Sequence, residues 1–366
     1  MPATTERAAE AARAEVAFQV ALAQIGAVTI AEALKLWGAV PATGGASVRR
    51  AWLRRAVALV AQRRTRARTL AIAYYRLVRA LRTGYTIRDP GRPDEGEAVT
   101  LDDLREQWED AQRQARQGAS RASSGSTPTP STPEPEQATS EAPAPADEAL
   151  DDGADAEADR ILIEELEGIE REAERLEREA QREAQLLLDE LGTQNLDRKV
   201  EDIDTDAPAT EVDAARRDAH NRAGTRQAAA AERMAMDGGR GWVWSAAERD
   251  KRAIGYVRLS RTGTPCGWCA MLISRGAVYK TARGAEYVDG DKYHDNCHCY
   301  AQPVFSREQF GGDALYALNR RYAEEWPRVT RGLSGKSAVS AWRHYIRQEQ
   351  RRAQAARSTT TSVQEA

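Results

Sequence analysis

Apolar residues recur at helical spacing along the first third of the chain. One series precedes a break at residues 41–45 (PATGG) and comprises Val16, Val20, Ile25, Ile30, Leu34, Leu36 and Trp37. A second series follows the break and comprises Trp52, Leu53, Val57, Val60, Leu70, Tyr74, Leu77 and Leu81. Positions three and four residues apart share one face of a helix. The pattern therefore predicts a helical N-terminal domain over residues 1–118.

Residues 160–192 follow a heptad pattern. Steps of four and three residues separate Leu162, Leu166, Ile169, Ala173, Leu176 and Ala180, and the series continues at Leu187 and Leu191. Glutamate and arginine fill most positions between them and are placed to pair one helical turn apart. We predict a heptad helix here. Two alternatives stay open: a coiled coil or arm that packs on a partner, and a single helix that lies on its own protein.

The segment after residue 192 is predicted to be a linker followed by two helices. Residues 193–210 are polar, so we expect a linker there. Residues 211–236 are rich in alanine and predict a helix that stops at Gly238 and Gly239, because glycine is common just past a helix end. A further helix is predicted over residues 246–257.

Two stretches are expected to be disordered. Residues 119–159 hold six prolines among Ser, Thr and Ala, turn acidic towards their end and contain no aromatic residue. Such a composition buries too little apolar surface to offset the entropy of ordering the chain. We predict a disordered linker at residues 119–159 and a disordered tail at residues 347–366.

The charges are segregated although the formal net charge is only -3. Arginine dominates from Arg49 to Arg92, and acidic residues dominate from Glu134 to Glu190. A basic helix of this kind either contacts DNA or an acidic partner, or forms an ordinary solvated face. The sequence leaves both interpretations open.

Neither a signal peptide nor a membrane span is expected. The first fifteen residues are charged, and the most apolar region, residues 16–40, is interrupted by Gln19, Gln24, Glu32 and Lys35. We therefore expect synthesis in a reducing cytoplasm and no membrane partner. In that compartment clustered cysteines favour metal binding over disulfides.

All four cysteines lie within one short segment together with two of the four histidines. They form a Cys266-x2-Cys269 pair followed by His294-x2-Cys297. Two residues between paired ligands let both side chains converge on one ion, and zinc takes four such ligands in a tetrahedron. We predict a structural zinc site at Cys266, Cys269, His294 and Cys297, with Cys299 as the alternate ligand. A disulfide from Cys266 or Cys269 to Cys297 or Cys299, and plain buried thiols, are the competing interpretations.

The residues around these cysteines resemble the Mu F-like domain of phage minor head proteins, in the version found in actinobacterial phages. The similar segments are residues 258–272 (RLSRTGTPCGWCAML), 274–279 (SRGAVY), 293–299 (YHDNCHC) and 303–305 (PVF), and the tail motifs 322–326 (YAEEW) and 342–345 (WRHY). The specific resemblance covers residues 211–346.

This resemblance implies a minor capsid protein that acts in head morphogenesis. Its implied partners are the phage portal and the major capsid or scaffold protein. Its implied location is the virion head, with the host cytoplasm as the place of assembly. Proteins of this architecture are also labelled capsid maturation proteases, which belong to a different functional class.

Whether the protein is an enzyme is left open by the residues. A cysteine protease needs a thiolate and a base, which Cys266 or Cys297 and His294 with Asp295 would supply. However, the Gly-x-Ser-x-Gly and His-Glu-x-x-His motifs do not occur in the sequence. We therefore name no catalytic residue.

A third interpretation is a zinc-dependent nucleic-acid-binding module. Arg252, Arg258, Arg261, Arg275 and Arg283 surround the cysteines, and Trp268 would stack on a base. Acidic residues in the same segment oppose this interpretation.

The expected fold is mainly α. A small α+β module stapled by the cysteines is predicted at about residues 250–306, with a short hairpin around residues 278–288.

Overall fold

A computed structural model describes residues 2–43, 45–92, 94–117, 159–260, 263–276, 297 and 299–364. The α-helices are α1 (Pro2–Trp37), α2 (Ala46–Thr83), α3 (Leu101–Arg116), α4 (Ile169–Asp189), α5 (Asn195–Glu201), α6 (Ala209–Arg249), α7 (Gly267–Ile273), α8 (Arg307–Gly312), α9 (Ala317–Val329) and α10 (Gly335–Gln364). The strands are β1 (Tyr85–Ile87), β2 (Ala98–Thr100), β3 (Arg160–Glu164), β4 (Gly255–Ser260) and β5 (Cys299–Val304). A π-helical turn, Glu190–Gln194, joins α4 to α5, and a 3-10 turn, Ala314–Tyr316, precedes α9.

Three long helices, α1, α2 and α6, pack against one another and form the helical body. One end of its core contains Phe18, which stacks on Tyr74 with ring centroids 4.2 Å apart. The other end contains Trp37 and Trp52, whose rings meet edge to face. The prediction of a mainly α fold with a small cysteine-containing module that carries a few strands is confirmed.

Helix α6 runs through Gly238 and Gly239, so the predicted helix end at these glycines is wrong. Each glycine instead faces the backbone of α2. A Cβ atom on Gly238 would lie 2.5 Å from the carbonyl oxygen of Arg64, and one on Gly239 would lie 2.8 Å from that of Ala67. The glycines therefore allow close contact between two helices, which a local pattern cannot distinguish from a helix stop.

The heptad segment starts later than its pattern predicts, since Arg160–Glu164 is a strand. Strand β3 pairs in parallel with β1 and antiparallel with β2, which places it in the middle of a three-stranded sheet. Its run of branched apolar residues suits a strand that lies between two neighbours. Gly168, with φ of 74°, then starts α4, whose apolar side packs against α2 and α6 of the same chain.

Three further differences concern element boundaries. The predicted linker at residues 193–210 contains α5. This short helix is held in place by Leu196, which is buried in the core. The helix predicted over residues 246–257 ends at Arg249, and β4 begins at residue 255 to pair with β5. The predicted tail at residues 347–366 lies largely in α10, which continues to residue 364 because it is rich in strong helix formers.

Some predicted features lie outside the described residues. These are nearly all of the linker at residues 119–159, the hairpin around residues 278–288, and His294.

The arginines of α2 divide into two groups. Arg63, Arg64, Arg76 and Arg79 are buried, whereas Arg50, Arg54 and Arg55 are exposed. The guanidinium of Arg76 lies 2.6 Å from Glu95, and that of Arg63 lies 2.6 Å from Glu32. A solvated or DNA-facing interpretation is therefore wrong for the buried group, whose members are held inside by ion pairs.

The most enclosed of these contacts joins α2 to β3 and to the loop between α6 and β4, and we call it the Arg79 network (Tyr75, Arg79, Glu164, Asp250 and Arg252). The side chains of Arg79 and Asp250 are 1% and 0% exposed, and their closest N–O distance is 2.7 Å. Tyr75 donates to Asp250 at 3.0 Å, and Arg252 lies 2.6 Å from Glu164. The hydrogen bond from Arg252 is the largest cause that lowers the pKa of Glu164, to about 2.

By length and composition, one helix in the described part of the chain is apolar enough to cross a membrane, at Thr5–Trp37. Core helices of globular proteins pass the same test. This helix packs against α2 and α6, and 56% of its most apolar window is buried inside the protein.

Candidate metal centre

Two cysteines lie at the start of α7. Cys266 is the residue that caps this helix, and its sulfur accepts a hydrogen bond from the backbone N–H of Cys269 at 3.4 Å. Cys266 follows Pro265 and has an extended backbone (φ −62°, ψ 160°), which is the usual conformation of a residue that caps the start of a helix. The Cys-x2-Cys spacing thus turns the chain so that both residues lie on one helical turn. Cys269 is fully buried, and Cys266 is half-buried.

The other two cysteines lie at the start of β5. Cys299 is the first residue of that strand and pairs with Ser260 of β4, while Cys297 is two residues earlier. Residues two apart on an extended chain place their side chains on the same side. Both side chains are buried, at 6% and 3% exposure. We call these four residues the cysteine centre.

The structure brings three sulfur atoms of the cysteine centre together. Those of Cys269, Cys297 and Cys299 all lie within 4.8 Å of one another. The sulfurs of Cys269 and Cys297 are 3.5 Å apart. This distance is far longer than a disulfide bond, and all four cysteines are free thiols in the structure.

Two buried arginines lie beside the sulfurs. Arg258 of β4 has a guanidinium nitrogen 3.8 Å from the sulfur of Cys269, and Arg240 of α6 donates to the carbonyl oxygen of Cys297. The hydrogen bond from Cys269 is the largest cause that lowers the pKa of Cys297, with a further hydrogen bond from Cys299. The positive charges of Arg240 and Arg258 lower this pKa further. Contact with Cys266 is the largest cause that raises the pKa of Cys269.

The elements that carry the cysteines are tied together by a buried amide. Asn319 of α9 donates to the carbonyl oxygens of Arg258, at 3.0 Å, and Ile273, at 3.1 Å. It therefore joins β4 to the end of α7, and its side chain is fully buried.

Helix α10 covers the start of α7. Gln350 donates to the carbonyl oxygen of Pro265 at 2.9 Å, and a Cβ atom on Gly267 would lie 3.2 Å from the Cα atom of Arg343. Gly267, which has no side chain, is needed for the close approach of α7 to Arg343 of α10. The cysteine centre is thus enclosed by α6, β4, β5 and α7, with α10 over one side.

Three buried cysteines lie close enough to hold a metal ion. Thiolates at about 2.3 Å from a tetrahedral zinc ion are separated by roughly 3.8 Å. The 3.5 Å between Cys269 and Cys297 is close to that value. Thiolate sulfur also suits zinc better than it suits magnesium or calcium. The donor set fits a thiolate-bound metal. Cys266 contacts Cys269, but its sulfur is not among the three that lie within 4.8 Å of one another, and His294 lies outside the described residues.

The sequence placed the cysteines together but did not identify the residues that organise them. Arg240 and Asn319 were not singled out, because an internal arginine and an internal asparagine resemble surface residues in a sequence. Arg240 lies within a glycine-rich run of α6, at residues 238–241, and this run is the one signal that could have indicated close packing there.

The two described histidines lie elsewhere. The ring of His220 stacks on Trp37 and lies 2.8 Å from the carbonyl oxygen of Val40, which is a structural contact. His344 lies on the exposed side of α10, next to Gln348. Neither is part of the cysteine centre.

Two of the arginines on which the nucleic-acid-binding interpretation rests make contacts inside the protein. Arg252 belongs to the Arg79 network and lies 3.5 Å above the ring of Tyr85, and Arg258 is buried beside Cys269. Arg275 is exposed, whereas Arg261 and Arg283 lie outside the described residues. Trp268 is half-buried and packs against the core.

Residues 193–325 match the family model described as VG15 protein, a family of viral proteins. The match covers about a third of the chain and includes the whole cysteine centre. It indicates a viral protein of the phage type. No curated protein and no solved structure matches the chain.

Proposed function

We propose that this chain is a minor head protein of a tailed phage and that it acts in head morphogenesis. One observation carries the proposal: the segment that matches a viral protein family contains a buried cluster of cysteines suited to a metal. The motifs around these cysteines resemble those of Mu F-like minor head proteins. The partners of such a protein are the portal and the major capsid or scaffold protein, and its place is the virion.

The metal in this proposal is one zinc ion with a structural role. Cys269, Cys297 and Cys299 supply three ligands, and Cys266 or His294 supplies the fourth. Buried thiolates need positive charge nearby, which zinc provides together with Arg240 and Arg258. A closed tetrahedral site leaves no open position for a substrate, so it favours assembly over catalysis.

The metal is tested on the full chain purified under reducing conditions. We expect one zinc per chain by elemental analysis, and cysteines that react with a thiol reagent only after a chelator is added. Absence of metal together with one fast-reacting thiol would contradict the structural site and would support a protease.

Assembly is tested with the proteins encoded by the same phage. The chain is co-expressed with the portal, scaffold and major capsid proteins, and procapsids are isolated. We expect it to purify with procapsids and with the isolated portal. A chain that is absent from procapsids, or that cleaves scaffold or capsid protein in the absence of other proteases, would overturn the assembly role.

A contact with packaged DNA would involve the exposed arginines of α2, Arg50, Arg54 and Arg55. Among the arginines of α2, these three are the exposed ones, so they are the ones on that helix available to phosphates. Changing all three to Glu should weaken binding of duplex DNA at low salt.

A further inference from the structure

The outward side of α1 is unusually apolar for a solvent-facing helix. Seven large apolar side chains in the described part of the chain are strongly exposed, and three of them lie on α1. These are Val16, Val20 and Leu34, at 49%, 45% and 41% exposure. Scattered exposed apolar residues need no explanation, but apolar side chains that share one helix face form a contiguous surface of the kind found at interaction sites.

The exposed positions form a regular line. Ala23 and Ile30 are half-buried and Ala27 is exposed, and all three lie between the larger side chains. Together we call Val16, Val20, Ala23, Ala27, Ile30 and Leu34 the α1 seam. Its steps are four, three, four, three and four residues, which is the spacing of positions that face a partner helix. At 1.5 Å per residue the seam is about 27 Å long.

The α1 seam carries no charge. Between Val16 and Leu34 the one charged residue is Glu32, whose carboxylate lies 2.6 Å from Arg63 on α2. The charged residues Arg13 and Lys35 are exposed at the two ends. A partner that covers the seam therefore desolvates no ion along its length.

We propose that the α1 seam is the contact by which two copies of this chain pair, with their α1 helices antiparallel. The seam is symmetric about residue 25, so an antiparallel copy sets Val16 against Leu34 and Val20 against Ile30. It also sets Ala23 against Ala27 at the centre. A two-fold contact requires such self-complementarity, and a contact with a different protein does not.

The sizes of the side chains suit this arrangement. Small residues at the centre let two helix axes approach to about 8 Å, the close end of the usual range. Larger residues towards both ends fill the space that widens as the helices diverge. No like charges face each other between Val16 and Leu34, because the seam itself carries no charge. At each end, however, Arg13 of one copy lies near the level of Lys35 of the other, and these two cations oppose pairing.

The area of the seam sets the expected strength of pairing. A strip about 27 Å long and 10 Å wide is smaller than the ~800 Å² per partner of a stable complex. The dimer therefore belongs to the weak class, and we expect monomers near ~1 µM and dimers near ~100 µM. This inference does not depend on the proposed function.

The first experiment is sedimentation velocity of the full chain from low to high micromolar concentration. We expect a concentration-dependent dimer that is lost in the Val20→Glu, Ala27→Glu double variant. Leu186→Glu on α4 is the matched control, since Leu186 is 72% exposed and lies off the seam. It should leave the dimer unchanged. Thermal melts verify that all variants fold, as expected for exposed positions.

The second experiment tests orientation. Ala23→Cys and Ala27→Cys chains are purified separately and treated with oxidised glutathione, alone and mixed. Thiol–disulfide exchange should link residue 23 of one chain to residue 27 of the other, with two reduced glutathione molecules released per bond. The chain without new cysteines controls for the cysteine centre.

Several results would overturn the proposal. One is a chain that stays monomeric at every concentration. A second is a dimer that survives the double variant. A third is cross-linking of Ala23→Cys chains to each other in preference to the mixture, which would mean parallel helices. Flotation of a monomeric chain with phosphatidylcholine vesicles, abolished by the double variant, would assign the seam to a lipid surface instead.

Discussion

The Arg79 network and the cysteine centre both place arginines in the interior, but they balance the charge differently. In the Arg79 network, Arg79 and Arg252 face the carboxylates of Asp250 and Glu164. In the cysteine centre, Arg258 faces the sulfur of Cys269, and Arg240 reaches the backbone next to Cys297. A carboxylate is charged at neutral pH without help, whereas a buried thiol loses its proton when a metal or a cation favours the thiolate.

This difference has a consequence for stability. All the charge partners of the Arg79 network belong to the chain itself, so its contribution to the free energy of unfolding depends on its own residues. The contribution of the cysteine centre to that free energy depends on whether the sulfurs bind a metal. The two regions should therefore respond differently to substitution, to chelation and to pH.

The largest effect is expected from Asp250→Ala. This change leaves Arg79 buried with one carboxylate fewer, and breaking a buried pair costs about 3–5 kcal/mol. Denaturant unfolding measures the loss, which should be the same with and without a chelator. Asp102→Ala is the control, because Asp102 pairs with Arg105 at a position 80% exposed. An equal loss in both variants would contradict the special role of the Arg79 network.

A smaller effect is expected from Cys269→Ser, and it should depend on metal. Free zinc at 100 times its dissociation constant stabilises a folded protein by about 2.7 kcal/mol. We expect the variant to lose about this much relative to wild type in zinc buffer, and much less in chelator. Unfolding curves in the two buffers provide the test. A loss of the same size in both would mean that the cysteine matters for packing alone.

A third effect concerns pH and a buried carboxyl group. Burial is the largest cause that raises the pKa of Glu15 to about 7, against the lowering effect of Arg82. Gln309, Asp313 and Tyr316 also face this group. A raised pKa means that the folded state holds the proton more tightly than the unfolded state. The stabilisation is therefore complete below pH 4.5 and is lost as the pH rises through 7.

Glu15→Gln should remove this dependence. Relative to wild type, the variant should gain about 2 kcal/mol of stability between pH 5 and pH 8. Chemical unfolding at both pH values measures the difference. A variant whose stability runs parallel to wild type would mean that Glu15 titrates normally. The result would also show whether the ion pair of Glu15 and Arg82 makes stability depend on pH more strongly than the Arg79 network does.

The sequence predicted those features that depend on local pattern. The helical spacing of apolar residues gave α1 and α2, and the spacing of the cysteines indicated one cluster. The spacing was informative because two residues between Cys266 and Cys269, and between His294 and Cys297, let paired side chains converge on one ion. The mainly α fold follows from such short-range rules, whereas the closeness of Cys269 and Cys297, 28 positions apart, was predicted from the ligand requirement of a zinc site.

The features that were missed depend on contacts between distant parts of the chain. In the sequence Gly238 resembles a helix stop, but in the structure it allows the backbone of Arg64 to pack closely against α6. Arg79 resembles a surface residue until Asp250, some 170 positions later, lies beside it. In the sequence the residues of β3 fit a heptad, but in the structure their backbone pairs with β1 and β2. In each case a tertiary contact overrides a local preference.

The pairing of β3 has a practical consequence for engineering. The backbone N–H of Leu101 donates to the carbonyl oxygen of Asp159 at 3.0 Å, so the chain returns to the start of α3 after residues 118–158. That segment of about 40 residues needs only to bridge the length of α3, about 24 Å at 1.5 Å per residue. Doubling its length would cost roughly 0.6 kcal/mol in closure entropy. A reporter domain inserted there should leave both sheets intact.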